Sequence, residues 1–193
     1  MAKKPAGSKA APKRTAKRAS AAEDWPNTVY RMLREGGVTQ FAYVPDAGHS
    51  VCIARSLADP DVQSIALTTE EEGVALVCGA HLGGAKAVLM MQSSGVGNTI
   101  NLLSLAEFGR FPFLTLVSMR GEFGEGNPWQ FAMGQAVTKV LEAMGVQVLR
   151  AEKPEEVEEV LRAAMTMTWQ SGMRVAVLLT QRLLGAKAFA PAM

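Results

Sequence analysis

Apolar and polar positions alternate along this chain in short blocks that switch between two periods. Val29, Met32 and Leu33 recur at helical spacing behind Trp25-Pro26, whose proline suits a first helical turn, and Gly36-Gly37 closes a helix of about ten residues. Val38 to Val44 then reads as a strand stopped by Pro45, followed by a helix from about Ser50 to Ala58 closed by Asp59-Pro60. The alternation continues with strand Val62 to Thr68, helix Glu70 to Leu82, strand Ala85 to Gln92, helix Asn98 to Phe108 and strand Phe113 to Ser118. After a long loop from Met119 to Gly134 come a helix ending near Gly145, strand Val146 to Arg150, helix Pro154 to Ser171 and strand Arg174 to Leu179.

Six short apolar runs without inside–outside alternation are the pattern of strands buried on both faces. Connections of only a few residues between strand and helix make each unit a crossover, so the expected fold is α/β, a doubly wound six-stranded parallel sheet with helices on both faces. Ligands of such folds bind beyond the carboxyl ends of the strands, where the sheet order reverses. Four segments fall on that rim: Pro45 to His49, Thr68 to Glu72, Gln92 to Asn98 and Met119 to Gly134. The last exceeds the usual length of a connector and is expected to be a binding element.

Composition divides the chain unevenly. Residues 1–22 carry seven basic side chains and no acid among Ala, Ser, Pro and Gly, too few apolar groups to fold, so a disordered basic tail is expected there and a single domain over 23–193. Subtracting those seven from the 20 Lys and Arg leaves 13 against 18 Asp and Glu, so the body is acidic although the whole chain is +2. A sparse run of this kind is read as a solvated arm rather than a nucleic-acid contact. The chain lacks the apolar centre of a secretory signal and any apolar run of about 18 residues, so no membrane association and a cytoplasmic location are expected. Cys52 and Cys78 stand alone on apolar segments, without metal spacing, as small buried hydrophobes.

The glycines invite nucleotide readings that fail on mechanism. Gly79 to Lys86 lacks the Gly-Lys-Ser/Thr of a P-loop, and Gly95-Val96-Gly97-Asn98 lacks the third glycine of a dinucleotide fingerprint. Neither Ser93 nor Ser94 lies in a G-x-S-x-G nucleophile elbow. The Gly95 to Asn98 stretch reads either as a tight turn opening a helix, with free amides for an anionic group, or as a simple turn capped by Asn98. Glu70, Glu71 and Glu72 stand where a strand hands over to a helix, a position the helix dipole alone favours for acids.

Taken in order, three segments resemble one family. Glu70 nine residues before Gly79, then MQSSGVGNTIN, then MRGEFGEGNPWQFAMG are similar to the pyrimidine-binding (Pyr) domain of thiamine diphosphate enzymes, above all the alpha subunits of sulfopyruvate and phosphonopyruvate decarboxylases. The resemblance covers about residues 25 to 185. It implies that Glu70, with Glu71 as the fallback, hydrogen-bonds the far ring nitrogen of the cofactor's aminopyrimidine and favours its imino tautomer, while the cofactor carries the carbanion chemistry. Pro45, Ser94, Gly95 and Gly97 are then expected beside the cofactor, and His49, Ser93, Asn98, Arg120 and Gln130 beside the substrate. Arg120 is the candidate for the substrate's anionic end, because a guanidinium binds oxyanions in a fork; an ion pair with Glu122 or Glu125 is the competing reading. Trp129 and Phe131 are candidates for closing the site or meeting another chain.

The chain has no Gly-Asp-Gly, the family's diphosphate and magnesium element. The resemblance therefore implies that this chain binds no metal and only the pyrimidine half of thiamine diphosphate. A separate beta subunit with a PP domain would supply Gly-Asp-Gly and Mg2+, in an alpha2beta2 or larger hetero-oligomer. The implied activity is nonoxidative decarboxylation of a small 2-oxo acid such as sulfopyruvate or phosphonopyruvate. Carboligation of the acetolactate synthase type and a noncatalytic binding module with a nucleic-acid-contacting tail are the alternatives.

Overall fold

A computed structural model describes residues 24–186; the basic tail and the last seven residues lie outside them. Six strands, β1 (Val38–Tyr43), β2 (Gln63–Ala66), β3 (Lys86–Gln92), β4 (Phe113–Ser118), β5 (Gln147–Ala151) and β6 (Arg174–Leu179), pair in the order β2-β1-β3-β4-β6-β5, every pairing parallel. The helices are α1 (Trp25–Glu35), α2 (Ser50–Ala58), α3 (Glu70–Leu82), α4 (Ser93–Thr99), α5 (Leu103–Phe108), α6 (Phe131–Ala143), α7 (Val157–Trp169) and α8 (Gln181–Leu184). The sequence order reverses between β1 and β3, so the expected doubly wound parallel sheet is present with its switch point beside the β3 exit.

Two cores cover the two faces. Val29, Met32 and Leu33 of α1, Cys52 of α2 and Val157 and Leu161 of α7 pack on Phe41, Val88, Met90, Leu114 and Leu116. Val74 and Val77 of α3, Val96, Leu103, Val137 and Leu141 pack on the opposite side chains, Leu89, Met91, Phe113 and Val117. Successive residues of β3 thus feed opposite cores, which is why its interior, Ala87 to Met91, is apolar throughout. Both cysteines are buried and unpaired. No helix of the described residues is long and apolar enough to cross a membrane.

Two segments differ from expectation. The Ser-Ser-Gly-Val-Gly-Asn stretch is itself helical, starting at Ser93 rather than Asn98, and the helix predicted from Asn98 to Phe108 is broken after Thr99 and restarted at Leu103. The long loop is shorter than expected, because a 3-10 turn at Pro128–Gln130 leads straight into α6. Within this loop Gly121 adopts φ 76°, and a β-carbon there would run into the Gln130 carbonyl, so the chain can double back onto the start of α6.

Candidate active site

The glutamate triplet at the start of α3 separates into three fates. Glu72 turns back to accept the Thr68 N–H at 2.9 Å, satisfying an amide just ahead of the helix, and Glu71 is exposed. Glu70 is the buried one, 7 % exposed, at the first helical position. Asn98 Nδ2 of α4 donates to Glu70 Oε2 at 2.7 Å. Oε1 has no hydrogen-bond partner among the described residues and lies over Gly95, where any β-carbon would collide with the carboxylate. Gly95 therefore has a steric reason to be glycine, and α4 tolerates its poor helix propensity because Val96 and Thr99 are fully buried beside it.

A second polar group ties three strand exits together. Asp46, directly after Pro45, accepts the Gly48 N–H at 2.8 Å, the Ser118 hydroxyl at 2.6 Å from the end of β4, and Gln92 Nε2 at 2.9 Å from the end of β3. Burial acts against its charge, but these hydrogen bonds and the nearby His49 outweigh that and hold its carboxyl below the usual range. Ser94 continues the chain by donating to Gln92 Oε1 at 2.9 Å. His49 is 3 % exposed and its Nε2 donates to the Met91 carbonyl at 3.1 Å. Burial pushes its pKa down, against the pull of Asp46, and the ring braces the rim through the Met91 carbonyl.

The third group is the loop after β4. Ser93, fully buried, accepts the Arg120 N–H at 3.1 Å. The Arg120 guanidinium forks onto Glu125, Nε to Oε2 at 2.5 Å and a terminal nitrogen to Oε1 at 2.7 Å, so an ion pair is present and its acid is Glu125 rather than Glu122. That pair is no surface contact, since the Glu125 side chain is fully buried and that of Arg120 is 16 % exposed. The Arg120 fork outweighs burial and holds Glu125 at about 2. The remaining edge of Arg120, its Nη1 group, makes no hydrogen bond among the described residues, and the residue lines a cleft of ≈ 260 Å³ with Asp46, Gly48, Ser50, Ser118 and Leu183.

The structure thus brings Glu70, Gly95 and Asn98 into one cluster, links Ser93 to Arg120, and ties Ser94 through Gln92 to Asp46 and Ser118. It does not gather the rest so closely. Pro45 is exposed on the rim, Gly97 faces Met133 at ordinary contact distance, and His49 is sealed inside. Gln130 is buried with its Oε1 lacking a partner. Trp129, 82 % exposed, stands out from the same loop. Asp46, Gln92, Glu125 and Gln181 are the residues that sequence reasoning passed over as site members; only the position of Asp46 and Gln92 at strand exits hinted at them.

A doubly wound parallel sheet with a buried, half-satisfied carboxylate beside its switch point defines an α/β protein of the rim-binding class. No protein-family model matches the chain. It is 35 % identical over 152 residues to the sulfopyruvate decarboxylase subunit alpha of Methanococcus maripaludis, covering 78 % of this chain and 91 % of that protein. It is also 35 % identical over 108 residues to the phosphonopyruvate decarboxylase of Streptomyces viridochromogenes, covering 55 % of this chain and 27 % of that one. Among solved structures, a 2-oxoglutarate:ferredoxin oxidoreductase from Magnetococcus marinus aligns over 81 % of this chain and 28 % of its own, with a TM-score of 0.66 and 16 % identity, a likeness of fold. The chain belongs to the family of sulfopyruvate decarboxylase alpha subunits.

Proposed function

We propose that this chain is the pyrimidine-binding subunit of a thiamine diphosphate-dependent decarboxylase of small 2-oxo acids, and that Glu70 is its catalytic residue. One observation carries the reading: a buried carboxylate with one oxygen held by Asn98 and the other left open over Gly95. That donor set fits an aminopyrimidine ring, which needs a carboxyl at its ring nitrogen and a bare backbone against which to lie. Bound thiamine diphosphate supplies the nucleophilic carbon and the electron sink for carbon dioxide loss. Glu70 holds and returns the proton at the pyrimidine ring nitrogen, through the open Oε1. Asn98 fixes the carboxyl's rotamer, and Gly95 leaves room for it.

On the substrate side, Arg120, which lines the cleft with Ser50 and Ser118 and keeps one terminal nitrogen outside the Glu125 fork, receives the terminal oxyanion of the 2-oxo acid. The names of the relatives support sulfonate or phosphonate as that group. Ser93, by accepting the Arg120 amide, sets where the loop leaves β4. Ser94 holds the Gln92 carboxamide, and Gln130 keeps a buried acceptor open for substrate or partner. The relatives' designation as alpha subunits supports a separate beta chain. That chain would bring Gly-Asp-Gly, magnesium and the diphosphate site, in an alpha2beta2 or larger assembly in the cytoplasm. Co-expression with such a chain tests the reading: the complex is expected to release carbon dioxide and an aldehyde from sulfopyruvate. A condensed hydroxyketo product from pyruvate would instead place it with carboligases.

A further inference from the structure

Gln181 lies on no motif, yet its side chain makes three hydrogen bonds to the loop after β4. It opens α8 directly after β6 and is 1 % exposed. Its Oε1 accepts the N–H groups of both Glu122 and Phe123 at 3.0 Å, and its Nε2 donates to Glu125 Oε2 at 2.9 Å. The same Glu125 oxygen receives Arg120 Nε, while Oε1 receives the other arm of the Arg120 fork and the Asn127 N–H at 2.9 Å. A carboxylate offers about four lone-pair sites, so Glu125 has none left and no freedom to turn.

The chemistry of an arginine subsite makes this saturation consequential. A guanidinium is planar, and a bidentate fork fixes its plane. Because Gln181 and Arg120 converge on one oxygen, the orientation of Gln181 is transmitted to that plane and hence to the remaining Nη1 of a residue that lines the cleft. We propose that Gln181 is a positioning residue for the substrate's terminal oxyanion, acting through Glu125 on Arg120. This rests on the reading of Arg120 given above.

The test uses the complex of this chain with its partner subunit and sulfopyruvate as the probe. Gln181→Met removes both functions of the amide. Gln181→Glu keeps an acceptor for Glu122 and Phe123 but sets an oxygen against Glu125, and so separates strapping of the loop from positioning of the arginine. Both variants are expected to raise KM about tenfold or more, with the change carried by KM rather than kcat, the size of one charge-assisted hydrogen bond. Combined with Arg120→Met, neither is expected to raise KM further than Arg120→Met alone, because the pathway runs through Arg120. If Arg120→Met leaves KM unchanged, the Arg120 reading falls and this inference with it. If Arg120→Met raises KM while Gln181→Glu behaves as wild type, or the two effects multiply, only the positioning role is overturned. Should Gln181→Met fail to assemble, Gln181→Glu alone decides between these results.

Discussion

Two buried glutamates sit on one rim in opposite states. Glu125 is saturated, with the Arg120 fork, Gln181 and the Asn127 amide on its two oxygens. Glu70 is half satisfied, with Asn98 on one oxygen and nothing among the described residues on the other. A saturated buried carboxylate is framework, because its hydrogen bonds offset the cost of burying charge. An under-satisfied one is retained at a cost in stability and is therefore where chemistry is sought. Residue type and a place beyond a strand end do not draw this distinction by themselves; it comes from the partners each carboxylate meets in the fold.

The comparison breaks most readily at Glu125. Glu125→Ala strands Arg120 and two amide donors in a buried setting, so a loss of about 3–5 kcal/mol in unfolding free energy is expected in denaturant titration. A loss under about 1 kcal/mol would show the fork to be dispensable. At the other corner, Gly95→Ala drives a methyl into the Glu70 carboxylate, with an expected cost of about 1–3 kcal/mol and a loss of turnover beyond what stability explains. An active Gly95→Ala enzyme of wild-type stability would mean that the close approach is unnecessary.

Acid sharpens the contrast through sign. Burial depresses the His49 pKa from its ordinary 6.5, so the folded state resists protonation and stability falls as pH drops below 6.5, by up to about 1.4 kcal/mol per pH unit. Glu125 also has a depressed pKa, so its stabilisation is complete above its ordinary 4.5 and is lost as pH falls toward about 2. His49→Gln is expected to flatten the first limb and leave the second, as read from unfolding curves between pH 7 and pH 3. The smallest effect on the isolated chain belongs to Trp129→Ala, within about 0.5 kcal/mol because the ring is exposed. Titration calorimetry with the partner chain should nevertheless show weaker association, by about 2 kcal/mol if Trp129 anchors that contact; unchanged affinity would remove Trp129 from the interface.

Much of the fold was legible because the signals were local. Helix α2, helix α3 and strands β4 and β6 begin and end where punctuation by Pro, Gly and the acidic triplet placed them. The break between α4 and α5 was not, because glycines in a helix are explained only by the Glu70 carboxylate arriving from 25 residues earlier in the chain. For the candidate site, the family resemblance singled out Glu70 and Arg120, and the structure buries the first and pairs the second with Glu125. Asp46 and Gln181 were not legible, since Asp46 meets Gln92 and Ser118 across 46 and 72 residues, and Gln181 meets the β4 loop across 56 to 59. His49 was expected beside the substrate, and the loop folds it inward onto the Met91 carbonyl, a placement that its own short segment does not signal.

The central claim is that the open oxygen of Glu70 moves a proton for the cofactor rather than holding the fold. Glu70→Gln keeps the shape and an acceptor for Asn98 but cannot exchange a proton at that position. Turnover of sulfopyruvate by the complex carrying this substitution is predicted to fall by about 10²–10⁴-fold while its unfolding midpoint and partner binding stay those of the unsubstituted complex. Undiminished turnover would contradict the account.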